Sequence, residues 1–198
     1  EAGQAVAALK PVVSGYDPSV VETSDPAVLL AALGRQVSAD EVEAITPWRF
    51  RAPLSPDLAA AREGRDIEFE QLIAFSRKTI DAATGMLFIE GVGGIMVPLD
   101  AERTVLDWMA ALQIPLLLVV GGYLGTISHT LTALDVLAQR HLKIAAIVVS
   151  ESERNPVELD DTVASIARFA HGAGVVGLPR LPGGINQHPA FAKIAALL

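Results

Sequence analysis

Two short apolar runs end in opposite charges: "AVAALK" closes on Lys10 and "MLFIE" closes on Glu90. Both runs are continuously apolar, the pattern of a strand covered on both faces. As parallel strands of one sheet they would bring the ammonium and the carboxylate to the same edge, where ligands bind in α/β folds. Behind Glu90 come Gly91, Val92, Gly93 and Gly94. Such a loop lets backbone approach a ligand closely and take positive φ where needed. A carboxylate in that place is suited to Mg²⁺, which takes one or two carboxylates together with phosphate oxygens. An ammonium there is suited to neutralising charge that develops on phosphate or carbamate oxygens. The plainer alternatives are a glutamate that caps a glycine turn and a strand-end lysine in water.

Three further stretches could join that edge. In "KPVVSG" (10–15) the Ser14 hydroxyl can donate and accept a hydrogen bond to a substrate. In "ETSDPAVLL" (22–30) Asp25 stands at a helix start with Pro26 as the first helical residue. It is either a plain N-cap or a second carboxylate for a cation. In "GGYLGTISHT" (121–130) a glycine turn leads into a helix at Gly125, Thr126 and Ser128, whose free amides would suit an anion. Ordinary capping by Thr126 or Ser128 explains the same residues. His129 reads as structural or surface, because no two histidines have metal-ligand spacing. No serine lies in a GxSxG elbow, which removes the common hydrolase triad.

The elements that must position these residues alternate. Strands are expected at 5–9, 86–90, 116–120, 144–149 and 174–178, and amphipathic helices at 69–83, 104–112, 127–140 and 159–172. Strand then helix, repeated, predicts an α/β domain with a mostly parallel sheet between helix layers. "SPDLAAAREG" (55–64) carries a helix's punctuation: Ser55 at the N-cap, Pro56 at the first turn and Gly64 past the end. Prolines and acidic residues break up 16–66, so helices there should be short. No linker divides the chain, and one domain over 1–198 is expected. The opening "EAGQAVAALKPV" reads as a helix tail, a glycine turn and a strand, so the first βα unit is expected to be missing.

Composition narrows the partners. A net charge of −8 argues against a nucleic-acid binder. The absence of cysteine removes disulfides, thiolate zinc sites and cysteine nucleophiles, and fits a reducing compartment. The most apolar stretch, 114–127, is shorter than the roughly 20 residues a bilayer span needs and contains Pro115 and three glycines. With no membrane span and no leader in view, a cytoplasmic protein is expected.

Taken together, "KPVVSG", "TSDP", "PWRFRAPLSPDLAAAREGRDI" (47–67), "IEGVGGIMVPL" (89–99), "LLLVVGGYLGTISHT" (116–130) and "GLPRL" (177–181) resemble the dethiobiotin synthetase family, in the family's order and over nearly the whole chain. The resemblance implies a P-loop NTPase fold, a homodimer, and closure of a ureido ring on 7,8-diaminopelargonate with CO₂, ATP and Mg²⁺. It implies Lys10 as the catalytic lysine, and Ser14, Ser55, Gly125 and Ser128 as substrate contacts. The helix start at 125–128 would hold the substrate carboxylate, in the family from the neighbouring subunit. Asp25 and Glu90 would be the metal ligands and would also face ATP. Gly91, Val92 and Gly93 would lie along the nucleotide, with Pro179, Arg180, Leu181 and Asn186 near its base. Three positions depart from the family pattern: Ser128 and Ser150 stand where asparagine is usual, and Asn186 where an acid is common. The family also opens with a Walker A loop, GxxxxGKT, which these residues do not contain; the expected missing stretch is a strand, that loop and most of a helix. The alternatives are another P-loop synthetase of cofactor biosynthesis and a non-catalytic paralogue.

Overall fold

The computed structural model describes residues 5–182 and 187–198. They form two compact units that divide after Leu112. In the first, strand β1 (Val6–Leu9) pairs in parallel with β4 (Met86–Ile89), Leu9 opposite Ile89. The chain then passes through Lys10 and Pro11 into β2 (Val12–Ser14), which pairs in parallel with β3 (Trp48–Phe50).

The change of partner happens at Lys10–Pro11 because proline has no N–H to continue a ladder. The Lys10 amide instead donates to the Ile45 carbonyl at 3.1 Å, and the Pro11 carbonyl accepts from the Trp48 amide at 3.0 Å. Lys10 therefore sits where one extended segment leaves β4 and takes up β3.

The helices of this unit are α1 (Asp25–Ala32), α2 (Ala39–Ile45), α3 (Pro56–Arg62), α4 (Phe69–Ala82) and α5 (Val105–Leu112), with a 3₁₀ turn at Val21–Thr23. On α4 the residues Phe69, Leu72, Ile73 and Ser76 are buried, the spacing of one face of an amphipathic helix. They join Val12, Phe50, Leu99, Val105 and Trp108 in one core, except Ser76, whose polar atom is satisfied within it. The Trp108 indole donates to Ser76 Oγ at 3.2 Å, and that hydroxyl donates to the Leu72 carbonyl at 2.8 Å. A smaller core of Leu9, Leu30, Val42 and Ile45 seats α1 and α2 beside β1.

The second unit holds β5 (Leu116–Gly121), β6 (Ile144–Ser150) and β7 (Gly174–Leu178), parallel and in that order. Helices α6 (Thr126–Gln139) and α7 (Leu159–Ala167) are the crossovers, as parallel neighbours require, and α8 (Pro189–Ala195) follows. Its core is Leu134, Ile147, Val149, Ile166 and Ala170. Among the described residues every pairing between named strands is parallel, so the α/β class with parallel sheets, the architecture of a P-loop NTPase-like domain, is the fold.

All five expected strands are present. The strands β2 and β3 were not anticipated, since three residues are too few to show a period. The helix expected over 159–172 stops at Ala167; His171 and Gly172 both take positive φ, at 50° and 91°, which no α-helix accommodates. Leu72 has no exposed surface, so Leu72→Ala should cost about 2–5 kcal/mol. Leu58→Ala on the open side of α3 should stay within about 0.5 kcal/mol of wild type. Urea unfolding followed through Trp48 and Trp108 fluorescence separates the two cases.

Candidate functional site

The Lys10 side chain is 5% exposed, although its position after a strand would allow it to reach water. A buried ammonium must be surrounded by oxygen, and this one is. Its Nζ lies 2.7 Å from Glu90 Oε1, 3.3 Å from Asp25 Oδ2, and donates to the Gly91 carbonyl at 3.1 Å. The reading of Lys10 as a solvated lysine is therefore set aside, and the two carboxylates are brought to the same point.

Each partner arrives by a different piece of local structure. Glu90 follows β4 directly, and its amide donates to the Leu9 carbonyl at 2.8 Å, extending the β1–β4 ladder by one bond. That bond fixes Glu90 beside the residue that follows Leu9. Asp25 is the first residue of α1; the N-cap is Ser24 and Pro26 is second, one position later than the sequence pattern placed them. The Ser24 hydroxyl donates to the Val21 carbonyl, and Asp25, inside the first turn rather than at the N-cap, turns its Oδ2 to Lys10. Both carboxylates remain open to solvent, with side-chain exposures of 52% for Glu90 and 61% for Asp25.

The glycine loop contributes backbone. Gly91 offers its carbonyl, and Gly93 makes the turn at φ +64°, where an added Cβ would stand 2.8 Å from Val97 Cγ2. Val92 packs half-buried against the core of the first unit. A Cβ at Gly94 would meet nothing within 4 Å, so the third glycine is not demanded by packing.

Ser14 ends β2, and its Oγ is buried with no hydrogen-bond partner among the described residues. A buried hydroxyl without a partner is costly, and a polar ligand atom would satisfy it. Ser55 is the N-cap of α3 with Pro56 next, as its sequence pattern required, but its hydroxyl makes no capping bond. The loop before it is held by Glu63. The Arg51 amide donates to Glu63 Oε1 at 2.7 Å, and Arg65 reaches both Glu63 and the Arg49 carbonyl. The Arg51 hydrogen bond, aided by Arg65, holds the Glu63 carboxyl below its ordinary value against the opposing effect of burial. A lowered folded value stabilises at neutral pH, and this support is lost as pH falls through it.

The remaining expected contacts lie in the second unit. Gly125 is the N-cap of α6 at φ +96°, and Ser128 is exposed on the helix's first turn. Thr126 is buried and bonds the Gly121 carbonyl. His129 is exposed and shares a 3.0 Å hydrogen bond with the Tyr123 hydroxyl, the surface role expected of it. Pro179, Arg180 and Leu181 follow β7. Asn186 lies outside the described residues.

Sequence reasoning missed a network that ties the three strand ends of this unit together. Glu151 accepts from the Arg180 amide at 2.7 Å and from Asn155 Nδ2 at 3.2 Å. Asn155 Oδ1 accepts from the Ser152 amide at 3.0 Å, and Ser152 Oγ from the Gly122 amide at 2.9 Å. A Cβ at Gly122 would fall 2.4 Å from Asn155 Oδ1, so a side chain there would push the Asn155 carboxamide out of the network. The available signal was Glu151 itself, a carboxylate directly after an apolar run, as Glu90 is.

Comparison with known proteins bears on what this site serves. A family model described as an AAA domain matches residues 1–188. The ATP-dependent dethiobiotin synthetase BioD of Acidiphilium cryptum (strain JF-5) is 52% identical over 162 residues, which are 81% of this chain and 73% of that protein. Its namesake in Caulobacter vibrioides (strain NA1000 / CB15N) is 49% identical over 179 residues, 90% of this chain and 80% of the relative. That of Phenylobacterium zucineum (strain HLK1) is 42% identical over 97% of this chain and 81% of its own length. The chain belongs to the dethiobiotin synthetase family.

For a member of this family the donor set around Lys10 Nζ is a test of cation chemistry. Two carboxylates and a carbonyl form an all-oxygen set, hard enough for Mg²⁺ and lacking the imidazole or thiolate ligands that select zinc. Among the described residues no group of three or more histidine, cysteine, aspartate or glutamate side chains forms a fuller cage. The residues present fit an ion that keeps water or phosphate oxygens as its other ligands.

The burial asymmetry predicts unequal mutational costs. Glu90→Gln leaves a buried ammonium with one carboxylate, and should destabilise by about 1–3 kcal/mol. Lys10→Met keeps the buried stem and frees two solvated carboxylates, and should cost less. Urea midpoints of the two variants at neutral pH give the comparison; equal losses would contradict this account of the site.

Proposed function

We propose that the protein is an ATP- and Mg²⁺-dependent cyclo-ligase that closes the ureido ring of dethiobiotin from 7,8-diaminopelargonate and CO₂. That it is an enzyme, a ligase, follows from its family. The observation that carries the finer reading is the buried Lys10 ammonium, aimed with Asp25 and Glu90 at one point where β1 and β4 end. A non-catalytic relative has no physical need to bury a charge there.

In the proposed reaction one amine of the substrate adds to CO₂ and loses a proton, giving a carbamate. A carbamate oxygen takes the γ-phosphoryl group of ATP, releasing ADP. The second amine then attacks the carbonyl carbon, phosphate leaves with the bonding pair, and the ring closes as that nitrogen gives up a proton. Charge gathers first on the carbamate oxygens and then on the transferring phosphoryl oxygens. Lys10 neutralises both, as a cation beside a developing anion does. The unpartnered Ser14 hydroxyl supplies a hydrogen bond that holds the diamine, and Ser55 lies on the same binding edge in this reading.

Asp25 and Glu90 would hold Mg²⁺, which supplies charge neutralisation on the nucleotide's phosphate oxygens. The Gly91–Gly93 backbone would run along ATP, and Pro179 to Leu181, positioned through Glu151, would border its base. The start of α6 at Gly125 and Ser128 would receive the substrate carboxylate, in a homodimer in which the partner copy provides it. The single-domain reading of 1–198 is supported by the family match, which crosses the division after Leu112. No described helix is long and apolar enough to cross a membrane. A cytoplasmic location remains our reading of the cysteine-free composition.

The test is turnover of the full-length protein with diaminopelargonate, bicarbonate and ATP, followed as phosphate release. Lys10→Ala should lower kcat by about 10²–10³-fold, the scale of losing one preorganised charge. Ser14→Ala should act mainly on KM for the diamine, and Glu90→Gln should raise the Mg²⁺ concentration needed for half activity. Full turnover by Lys10→Ala would remove the role given to that residue.

A further inference from the structure

The ammonium of a lysine has three N–H donors and no acceptor. Around Lys10 Nζ stand three oxygens, from Glu90, Asp25 and Gly91, all within 3.3 Å. Two of the donors are taken by hydrogen bonds to Glu90 and Gly91, Asp25 stands beside them as an ion-pair partner, and the side chain is 5% exposed. In this arrangement the Lys10 ammonium is held by the protein's own oxygens. The two carboxylates that would hold a divalent cation are the same two that hold the lysine, and both face solvent. One point therefore has two claimants of like charge. A divalent ion taking the carboxylate oxygens removes two of the three partners of Lys10 and repels its ammonium.

We propose that Lys10 and the divalent cation exchange at the Asp25–Glu90 pair. In the metal-free protein the ammonium is latched in the cation's place, and metal binding releases it toward the anionic substrate. The inference rests on the reading of Asp25 and Glu90 as the cation site, and adds an order of events: the lysine becomes available only after the metal is in place. The latch also explains the burial of Lys10. An ammonium serving phosphate alone would wait in water, whereas this one has a resting partner set inside the protein.

The test uses Mn²⁺ as the probe, without nucleotide, and reads the lysine directly. Bound Mn²⁺ is counted by electron paramagnetic resonance. Lysine accessibility is read by limiting acetic anhydride and peptide mass spectrometry. Lys78, Lys143 and Lys193 are exposed and serve as internal references. Without metal, Lys10 should be acetylated far less than those three. Saturating Mn²⁺ should raise its acetylation by about tenfold with the other three unchanged, as loss of two charged partners requires. Asp25→Asn and Glu90→Gln should each raise Lys10 acetylation without metal and weaken Mn²⁺ binding.

Mn²⁺ bound at these carboxylates with Lys10 still protected would overturn the exchange and leave the cation site standing. Mn²⁺ bound by Lys10→Met but not by the wild type would also overturn it, showing that the metal does not displace the ammonium. If neither protein binds Mn²⁺, or binding survives both carboxylate substitutions, the cation reading fails first and the exchange with it.

Discussion

Keeping one ammonium charge out of water is the constraint around which the first unit is arranged. Desolvating the Lys10 side chain is unfavourable unless oxygens replace the lost water, and three chain segments are organised to supply them. Pro11 ends the β1–β4 ladder at the right residue. The Glu90 amide adds one more bond to that ladder and so places a carboxylate alongside. Helix α1 begins with Ser24 as its cap, which leaves Asp25 able to face inward. Remove the buried charge and none of these three details has a common reason.

That reasoning also separates the two ends of the ion cluster. The lysine is buried and its partners are not, so its energetics differ from those of an ion pair on a surface and from those of one in a core. Coulombic attraction to Asp25 and Glu90 is softened by the water around them, while the desolvation of Lys10 is not. A cluster of this kind is held firmly enough to be ordered and loosely enough to be rearranged by a competing ion. Ser14 lies outside the cluster at the end of β2, with a buried hydroxyl that no described residue engages. The cation is already held by the protein's own oxygens, whereas the hydroxyl has no partner among them.

Much of this was legible in the residues, for identifiable reasons. The strands at 6–9, 86–89, 116–121, 144–150 and 174–178 were visible because buried parallel strands are continuously apolar. Helix α3 was visible through Ser55, Pro56 and Gly64, which are local signals. Strands β2 and β3 were not, because three residues carry no period and their pairing depends on a segment far along the chain, Val12 standing opposite Trp48. The meeting of Lys10 with Glu90 followed from parallel strand ends, but the burial of Lys10 did not. Exposure is a property of everything packed nearby, and a single sequence offers no local sign of it. Asp25 was ambiguous for the same reason: an aspartate before proline looks alike whether it caps a helix or faces a charge.

Glu151 shows how far that ambiguity goes. It follows β6 as Glu90 follows β4, an acid directly after an apolar run, and either could have been chosen as a cation ligand by sequence position alone. Their surroundings decide otherwise. Glu90 meets an ammonium and a loop carbonyl. Glu151 meets the Arg180 amide and the Asn155 carboxamide, both of them neutral donors already fixed by the fold. A carboxylate whose two oxygens each accept a hydrogen bond from the protein's own frame is a brace for the loop after β7. Glu90, half open to solvent and paired with a side-chain cation, is not held by such a frame. The difference between the two acids therefore lies in the neighbouring strand end, where Glu90 meets Lys10 and Glu151 meets the frame of its own loop.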